Sequence, residues 1–274
     1  MSTKIVTWSI INNEMDYLPD IIDYHLSWCD QMYFLDNGSS DNSYEYLCSR
    51  ANSKEVDNGY LEDGIVSPRI IVEKYHTSYT PEYNVPWEQM QNPFPEIDVR
   101  NHAIKRCKEL CRPEWMIQLD GDEVFLESTR KLIEKHYNKV CISTSTINPV
   151  APLKEHRIEN RFGMKLYDPH ARLWNAKYNI EFINNKNLRG KNNEVIQYHC
   201  TPSLVGWNKH LFETNGNLFV DDIVHIHLHW MYGKVQMFNK DISRQDIIKG
   251  QKLNELSYLV PKIFLQRRDD WANK

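Results

Sequence analysis

Long apolar runs are missing from this chain: nowhere do 18 or more apolar residues follow one another, so no helix is expected to span a bilayer. The opening MSTKIVTWSIINNEMDYL lacks the long apolar core that follows the positive charge of a secretory signal. Cysteines are few and scattered, at 29, 48, 107, 111, 141 and 200. Only Cys107 and Cys111 stand close together, and no second pair has metal-ligand spacing, which argues against a structural zinc site. Without a regular disulfide framework they read as reduced, mostly buried small residues of a cytoplasmic protein. Positive charge is not in excess, since 33 Lys and Arg against 37 Asp and Glu give a net charge of -4. That balance argues against general nucleic-acid binding. It leaves an anionic substrate open, because local basic groups or a bound cation can neutralise phosphates. No internal repeat or low-complexity segment is visible.

What is present is ample material for a core: 41% of the 274 residues are hydrophobic and 12% aromatic. Residues 4–11, KIVTWSII, are apolar at nearly every position, the pattern of a strand buried on both faces. Leu18, Ile21, Ile22, Leu26 and Trp28 then follow helical spacing, with Pro19 tolerated in the first turn. QMYFLD is a second short strand ending at Asp36. The turn-rich NGSSDNS precedes another helix, capped by Asp41 or Ser43. RIIVEKY (69–75) is a third strand, 98–111 a helix closed by Pro113, and WMIQL (115–119) a further strand. Strand and helix alternate, so the expected fold is α/β, with a mostly parallel central sheet flanked by helices. In such sheets ligands gather beyond the C-terminal strand ends, which places Asn13, Glu14, Asp36 and Asp41 on the functional rim.

From about residue 150 the pattern blurs. CIST (141–144), ARLW (171–174) and EVIQYH (194–199) read as strands among polar loops, and 76–99 as a long irregular loop. Its aromatics (Tyr75, Tyr79, Tyr83, Trp87, Phe94) suit either sugar stacking or packing. The tail from Val235 to Trp271 reads as mostly helical. Its basic residues Lys262, Arg267 and Arg268 leave peripheral contact with an anionic membrane open.

The sharpest chemical feature is Asp120-Gly121-Asp122, at the end of an apolar strand and running on into Glu123. Carboxylates two positions apart on extended backbone point the same way. Like charges so close repel, and a hard divalent cation, Mg²⁺ or Mn²⁺, would relieve that repulsion. Gly121 permits a close approach of backbone or ligand. A solvated turn with helix-capping acids is the plainer alternative. Further on, His225, His227 and His229 alternate along HIHLHW and therefore face one way. They suit a metal site begun by Asp122, or a polar strand face at an edge.

In three blocks the chain resembles the family 2 glycosyltransferases with the GT-A fold. They are IVTWSIINNEMDYLPDIIDYHLSWCDQMYFLDNGSSDNSYEYL (5–47), RNHAIKRCKELCRPEWMIQLDGDEVF (100–125) and, more weakly, YDPHARLWN (167–175). The resemblance implies a GT-A domain over 1–234, with a nucleotide-binding half (1–125) and an acceptor half (126–234), then a C-terminal helical extension (235–274). It implies that Asp36 binds the nucleotide base, that Ser9, Asn13 and Glu14 line the same pocket, and that Arg100 and Asn101 sit beside base and ribose or brace that loop. Asp120 would touch the ribose or metal-bound water. Asp122 would bind the metal directly, with His225 or His227 supplying a further ligand. Arg172 would reach the leaving diphosphate.

The activity so implied is inverting transfer of a sugar from a nucleotide-diphosphate sugar to a glycan or other hydroxyl acceptor. A Mn²⁺ or Mg²⁺ ion would stabilise the departing diphosphate. The acceptor must lose a proton as it attacks, so a carboxylate base is required. The family's base motif is not obvious here; Glu194 is the first candidate, ahead of Glu213 and Asp222. Two other classes compete. A metal-dependent phosphoesterase or nucleotidyltransferase also uses carboxylates and histidines around divalent ions, though the NNEMDY turn lacks a Gly-rich basic phosphate loop. The other is a non-catalytic nucleotide-sugar or polysaccharide binder, against which the intact Asp120 and Asp122 argue.

Overall fold

The computed structural model describes residues 3–51, 59–60, 66–67, 69–75, 96–150, 155–157, 170–184, 200–206, 211, 216–228, 261 and 264. The chain begins β1 (Ile5–Ile11), α1 (Leu18–Leu26), β2 (Gln31–Asp36), α2 (Ser43–Ala51), β3 (Gly59–Tyr60), β4 (Val66–Ser67) and β5 (Ile70–Lys74). It continues with α3 (Glu96–Cys111), β6 (Trp115–Gln118), β7 (Glu123–Phe125) and α4 (Ser128–Lys135). Then come β8 (Cys141–Val150), β9 (Glu155–Arg157), β10 (His170–Asn175), β11 (Ile180–Asn184), β12 (Cys200–Leu204) and β13 (Asn217–His227).

The main sheet has the order β5-β2-β1-β6-β10-β8-β13-β7, with β9 attached to β8. Its first half, β5-β2-β1-β6, is parallel throughout, as the alternation of strands and helices predicts. In the second half β10 runs antiparallel to both β6 and β8, while β8 and β13 pair in parallel. β7 and β13 close that end as an antiparallel pair. The architecture is α/β, a central sheet with helices on its two faces.

Alternation along the strands divides the core into two layers. Ile5, Ile11, Met32, Phe34, Trp115 and Ile117 point to one face, where α1, α2 and α4 contribute Leu18, Ile21, Leu47 and Ile133. Val6, Trp8, Tyr33, Leu35 and Met116 point to the other, beneath Val99, Ala103, Ile104 and Cys107 of α3. Strands sandwiched this way must be apolar on both sides, which explains their unbroken hydrophobic runs. Cys29, Cys107, Cys111 and Cys141 lie buried in these layers.

His25 is the main polar member of the first layer and is fully buried. Its Nε2 accepts the Phe125 N–H at 3.0 Å, so Nδ1 carries the proton and donates to the Ile21 carbonyl at 2.7 Å. The ring thus ties α1 to β7, and burial lowers its pKa to about 4. From the C-terminal segment, Phe264 is buried and meets Tyr24 of α1 edge to face at 5.8 Å. Apart from Pro261, the rest of the expected helical extension, with Lys262, Arg267 and Arg268, lies outside the described residues. So do most of the 76–99 loop and the expected 194–199 strand. Among the described residues no helix is long and apolar enough to cross a membrane.

The functional rim follows from strand order. From β1 the chain moves outward through β2 to β5, then returns to place β6 on the other side of β1. The loops after β1 and β6 therefore leave in opposite directions, and such a switch point is where open α/β sheets form a ligand crevice.

Candidate active site

Two loops build the first wall of this crevice. Asn13, after β1, adopts the left-handed conformation (φ 58°) that asparagine tolerates better than most residues. Its N–H donates to Ser39 Oγ at 3.1 Å, and its Oδ1 accepts the Ser40 N–H at 2.7 Å. The Glu14 N–H donates to Ser43 Oγ at 3.0 Å and the Met15 N–H to Asp41 Oδ2 at 3.0 Å. Asp41 Oδ1 also accepts the Ser43 N–H at the start of α2. Asp36, buried at the end of β2, closes its own turn: its two oxygens accept the Gly38 and Ser39 N–H groups, each at 3.2 Å. Ser9 is buried as well. The side chains of Asn13 and Asp36 thus stitch the wall together, the turn-forming role expected of such residues.

The second wall is the acidic turn after β6. It reaches the first wall through Gly121, where a Cβ would lie 2.5 Å from Glu14 Cγ. Glu14 and the acidic turn are in contact only because residue 121 has no side chain. The Glu123 N–H donates to the Asp120 carbonyl, and Glu123 Oε2 accepts the Asp120 N–H, both at 3.0 Å. The Leu228 N–H donates to the Asp122 carbonyl at 2.7 Å, joining the turn to the end of β13.

The charged side chains fall into two groups. Asp122 Oδ2 lies 3.4 Å from His227 Nε2. Beside that pair, Arg172 Nη2 donates to Asp120 Oδ2 at 2.7 Å and to Glu123 Oε1 at 2.8 Å. His225 Nε2 lies 3.2 Å from the same Glu123 oxygen, its ring stacked on Phe125 at 4.4 Å. With its side-chain amide turned so that the oxygen faces them, Gln118 accepts from both Arg100 Nη1 and Arg172 Nη1, so two guanidinium groups meet at one carbonyl. Arg100 also pairs with Glu96 at 2.8 Å and stands 3.8 Å from Asp120. Asn101 faces elsewhere: it bonds the Phe182 backbone in both directions, Nδ2 to the carbonyl at 3.0 Å and Oδ1 from the N–H at 2.6 Å. It braces β11 against α3.

The electrostatics follow this arrangement. Burial alone would raise the Glu123 carboxyl, yet Arg172, His225 and His227 hold it well below the usual carboxylate range. Burial likewise works against the charge on Arg172, and Asp120 and Glu123 overcome it. For His227, burial opposes protonation, but the bond to Asp122 raises the imidazole to about 9.

Of the four expected metal ligands, the structure sets Asp122 and His227 side by side and pairs Asp120 with Arg172 and His225 with Glu123. Among the described residues no group of three His, Cys, Asp or Glu side chains converges to hold a cation. The two donors of Asp122 and His227 nevertheless suit one. Adjacent ligands of an octahedral ion with 2.0–2.1 Å bonds lie about 3.0 Å apart, close to the observed pair, and Mg²⁺-type sites take their other ligands from phosphates and water.

Glu194 and Glu213 fall outside the described residues, as does His229, and Asp222 lies on β13. Sequence reasoning passed over Glu123 and Gln118. The signal was an acid directly following Asp120-Gly121-Asp122 and a polar residue inside an otherwise apolar strand.

No family model and no curated protein matches the chain. Among solved structures it is similar to residues 1–349 of TarS from S. aureus, at 12% identity and a TM-score of 0.43, over 82% of this chain and 60% of that one. The chain therefore spans less than two thirds of that structure's length. It is also similar to a Bacillus anthracis structure, in complex with sucrose, that carries the name glucose-1-phosphate thymidylyltransferase. There the identity is 10% and the TM-score 0.37, over 92% of this chain and 99% of the other. With both TM-scores below 0.5, neither likeness bears on the chemistry.

Proposed function

We propose that this chain transfers a sugar from a nucleoside-diphosphate sugar to a hydroxyl acceptor. One observation carries the reading. At the switch point between β1 and β6, the Asp122–His227 pair stands beside an Arg172–Gln118–Arg100 cluster. A diphosphate in the crevice would meet guanidinium donors on one side and a carboxylate–imidazole pair on the other, an arrangement suited to a strongly anionic leaving group.

Asp122 and His227 would hold Mn²⁺ or Mg²⁺ between them. When bound, the cation would supply positive charge to the leaving diphosphate without proton transfer. His227 must be neutral to donate its lone pair, so it gives up the proton it otherwise shares with Asp122. Arg172 and Arg100 would orient the phosphates, with Gln118 fixing their separation. Glu14, held over Gly121 by the stitched first wall, would set one limit of the nucleotide pocket. Inversion at the sugar carbon belongs to the same proposal and rests on the sequence resemblance alone; Glu194 is its first candidate base, ahead of Glu213 and Asp222, chosen without the family's base motif to mark it.

A second reading, nucleotidyl transfer or phosphoester cleavage, draws on the two arginines, which suit a reacting phosphorus equally well. Product analysis separates the two. The chain is first screened by thermal shift against UDP, GDP and dTDP sugars with and without Mn²⁺. The stabilising donor is then incubated with acceptor hydroxyls. Release of the nucleoside diphosphate supports glycosyl transfer. Release of a nucleoside monophosphate or pyrophosphate supports the second reading, and no metal-dependent stabilisation by any donor refutes both.

A further inference from the structure

Glu123 is almost fully buried, yet it touches three separate segments: the acidic turn through Asp120 N, β10 through Arg172 and β13 through His225. Its Oε1 takes one hydrogen of the Arg172 Nη2 group whose other contact is Asp120 Oδ2. Two carboxylates therefore share one guanidinium, and the third carboxylate of the turn, Asp122, faces His227 instead. An arginine beside an acidic turn would otherwise compete with any cation for every carboxylate within reach.

We propose that Glu123 is a positioning residue. It is the counter-charge that commits Arg172 to Asp120 and so reserves the Asp122–His227 pair for a divalent cation. The inference rests on the cation site of the proposed function. It goes further by assigning the three acids of the turn unlike tasks: Asp120 and Glu123 restrain an arginine, and Asp122 meets the metal. Replacing Glu123 with glutamine keeps the length and one acceptor but leaves the Arg172 charge, among the described residues, to Asp120 and Asp122. The guanidinium then repels an incoming cation.

The test is a double-mutant cycle on Mn²⁺ affinity, read from the electron paramagnetic resonance of unbound Mn²⁺. Glu123→Gln should weaken binding about tenfold and Arg172→Gln should strengthen it about tenfold. The double variant Glu123→Gln/Arg172→Gln should match Arg172→Gln to within about threefold, because Glu123 acts through that guanidinium and has nothing left to restrain; loss of a merely structural contact would weaken binding in both backgrounds. Should Glu123→Gln fail to fold, Arg172→Gln decides alone: unchanged or weaker affinity overturns the inference. Wild type that binds no Mn²⁺ overturns the cation site and this inference together. Wild type that binds, with Glu123→Gln unchanged or with Glu123→Gln weakening binding equally whether or not Arg172 is present, overturns this inference only.

Discussion

Asp122 and His227 stand 3.4 Å apart although 105 positions separate them in the chain, because β13 returns to pair with β7 immediately after the acidic turn. Register sets the distance. His227 lies opposite Glu123, and the Leu228 N–H holds the Asp122 carbonyl, so the two side chains cannot slide past one another. Asp122→Asn keeps that framework and removes the charge. It should abolish Mn²⁺-dependent stabilisation by nucleotide and reduce transfer at least about 100-fold, with ligand-free melting little changed. Full activity in this variant, assayed by release of nucleoside diphosphate, would remove Asp122 from the site.

Gly121→Ala tests the contact between the walls. The new methyl would lie 2.5 Å from Glu14 Cγ and 2.7 Å from its Cδ, so Glu14 or the turn must move. Overpacking of this kind costs about 1–3 kcal/mol. Urea denaturation should show that loss, and Glu14→Ala in the same chain should recover most of it. Equal loss in both backgrounds would mean that the contact does not limit the turn.

Acid sensitivity should come in part from His25. Its folded pKa of about 4 lies below the unfolded 6.5, so below pH 6.5 the unfolded chain takes up the proton first. Stability is complete above pH 6.5 and falls as pH drops toward 4, by on the order of 3 kcal/mol in all. His25→Gln should be less stable than wild type at pH 7 yet lose less on acidification. Parallel pH profiles from urea melts of the two proteins would contradict this.

Asn101→Ala should act on stability more than on ligand binding. It removes both bonds between α3 and the Phe182 backbone, leaving an N–H and a carbonyl unanswered. A loss of about 1–3 kcal/mol follows, with nucleotide affinity nearly unchanged. A selective fall in affinity at constant melting temperature would instead place Asn101 at the ligand.

Much of the first half was legible because β1, β2 and β6 are buried on both faces and its helices are amphipathic. Residues 31–36 form the predicted strand, and the 98–111 helix extends back only to Glu96. The antiparallel return of β10, and the short β7 with its partner β13, were harder to read. Three-residue strands carry too little period, and pairing between strands about 100 residues apart leaves no local trace. Spacing placed Asp122 and His227 on suitable faces. It could not show that Asp120 would be taken by Arg172 from another strand, or that Asn101 would turn toward Phe182. Side-chain pairing across elements is a tertiary property. The buried Glu123 was overlooked because an acid after two others reads as more surface charge.

The bonds that run from Asn13, Glu14 and Met15 to Ser39, Ser40, Asp41 and Ser43 have an effect reaching beyond their own loops. They bring this half of the crevice to its final shape during folding, so a visiting molecule need not organise it and loses little binding energy to ordering the backbone. Its partner across Gly121 depends on longer-range pairings instead. Changes as remote as the first turn of α2 should then be felt by whatever docks there, transmitted through Ser43 and the Glu14 backbone.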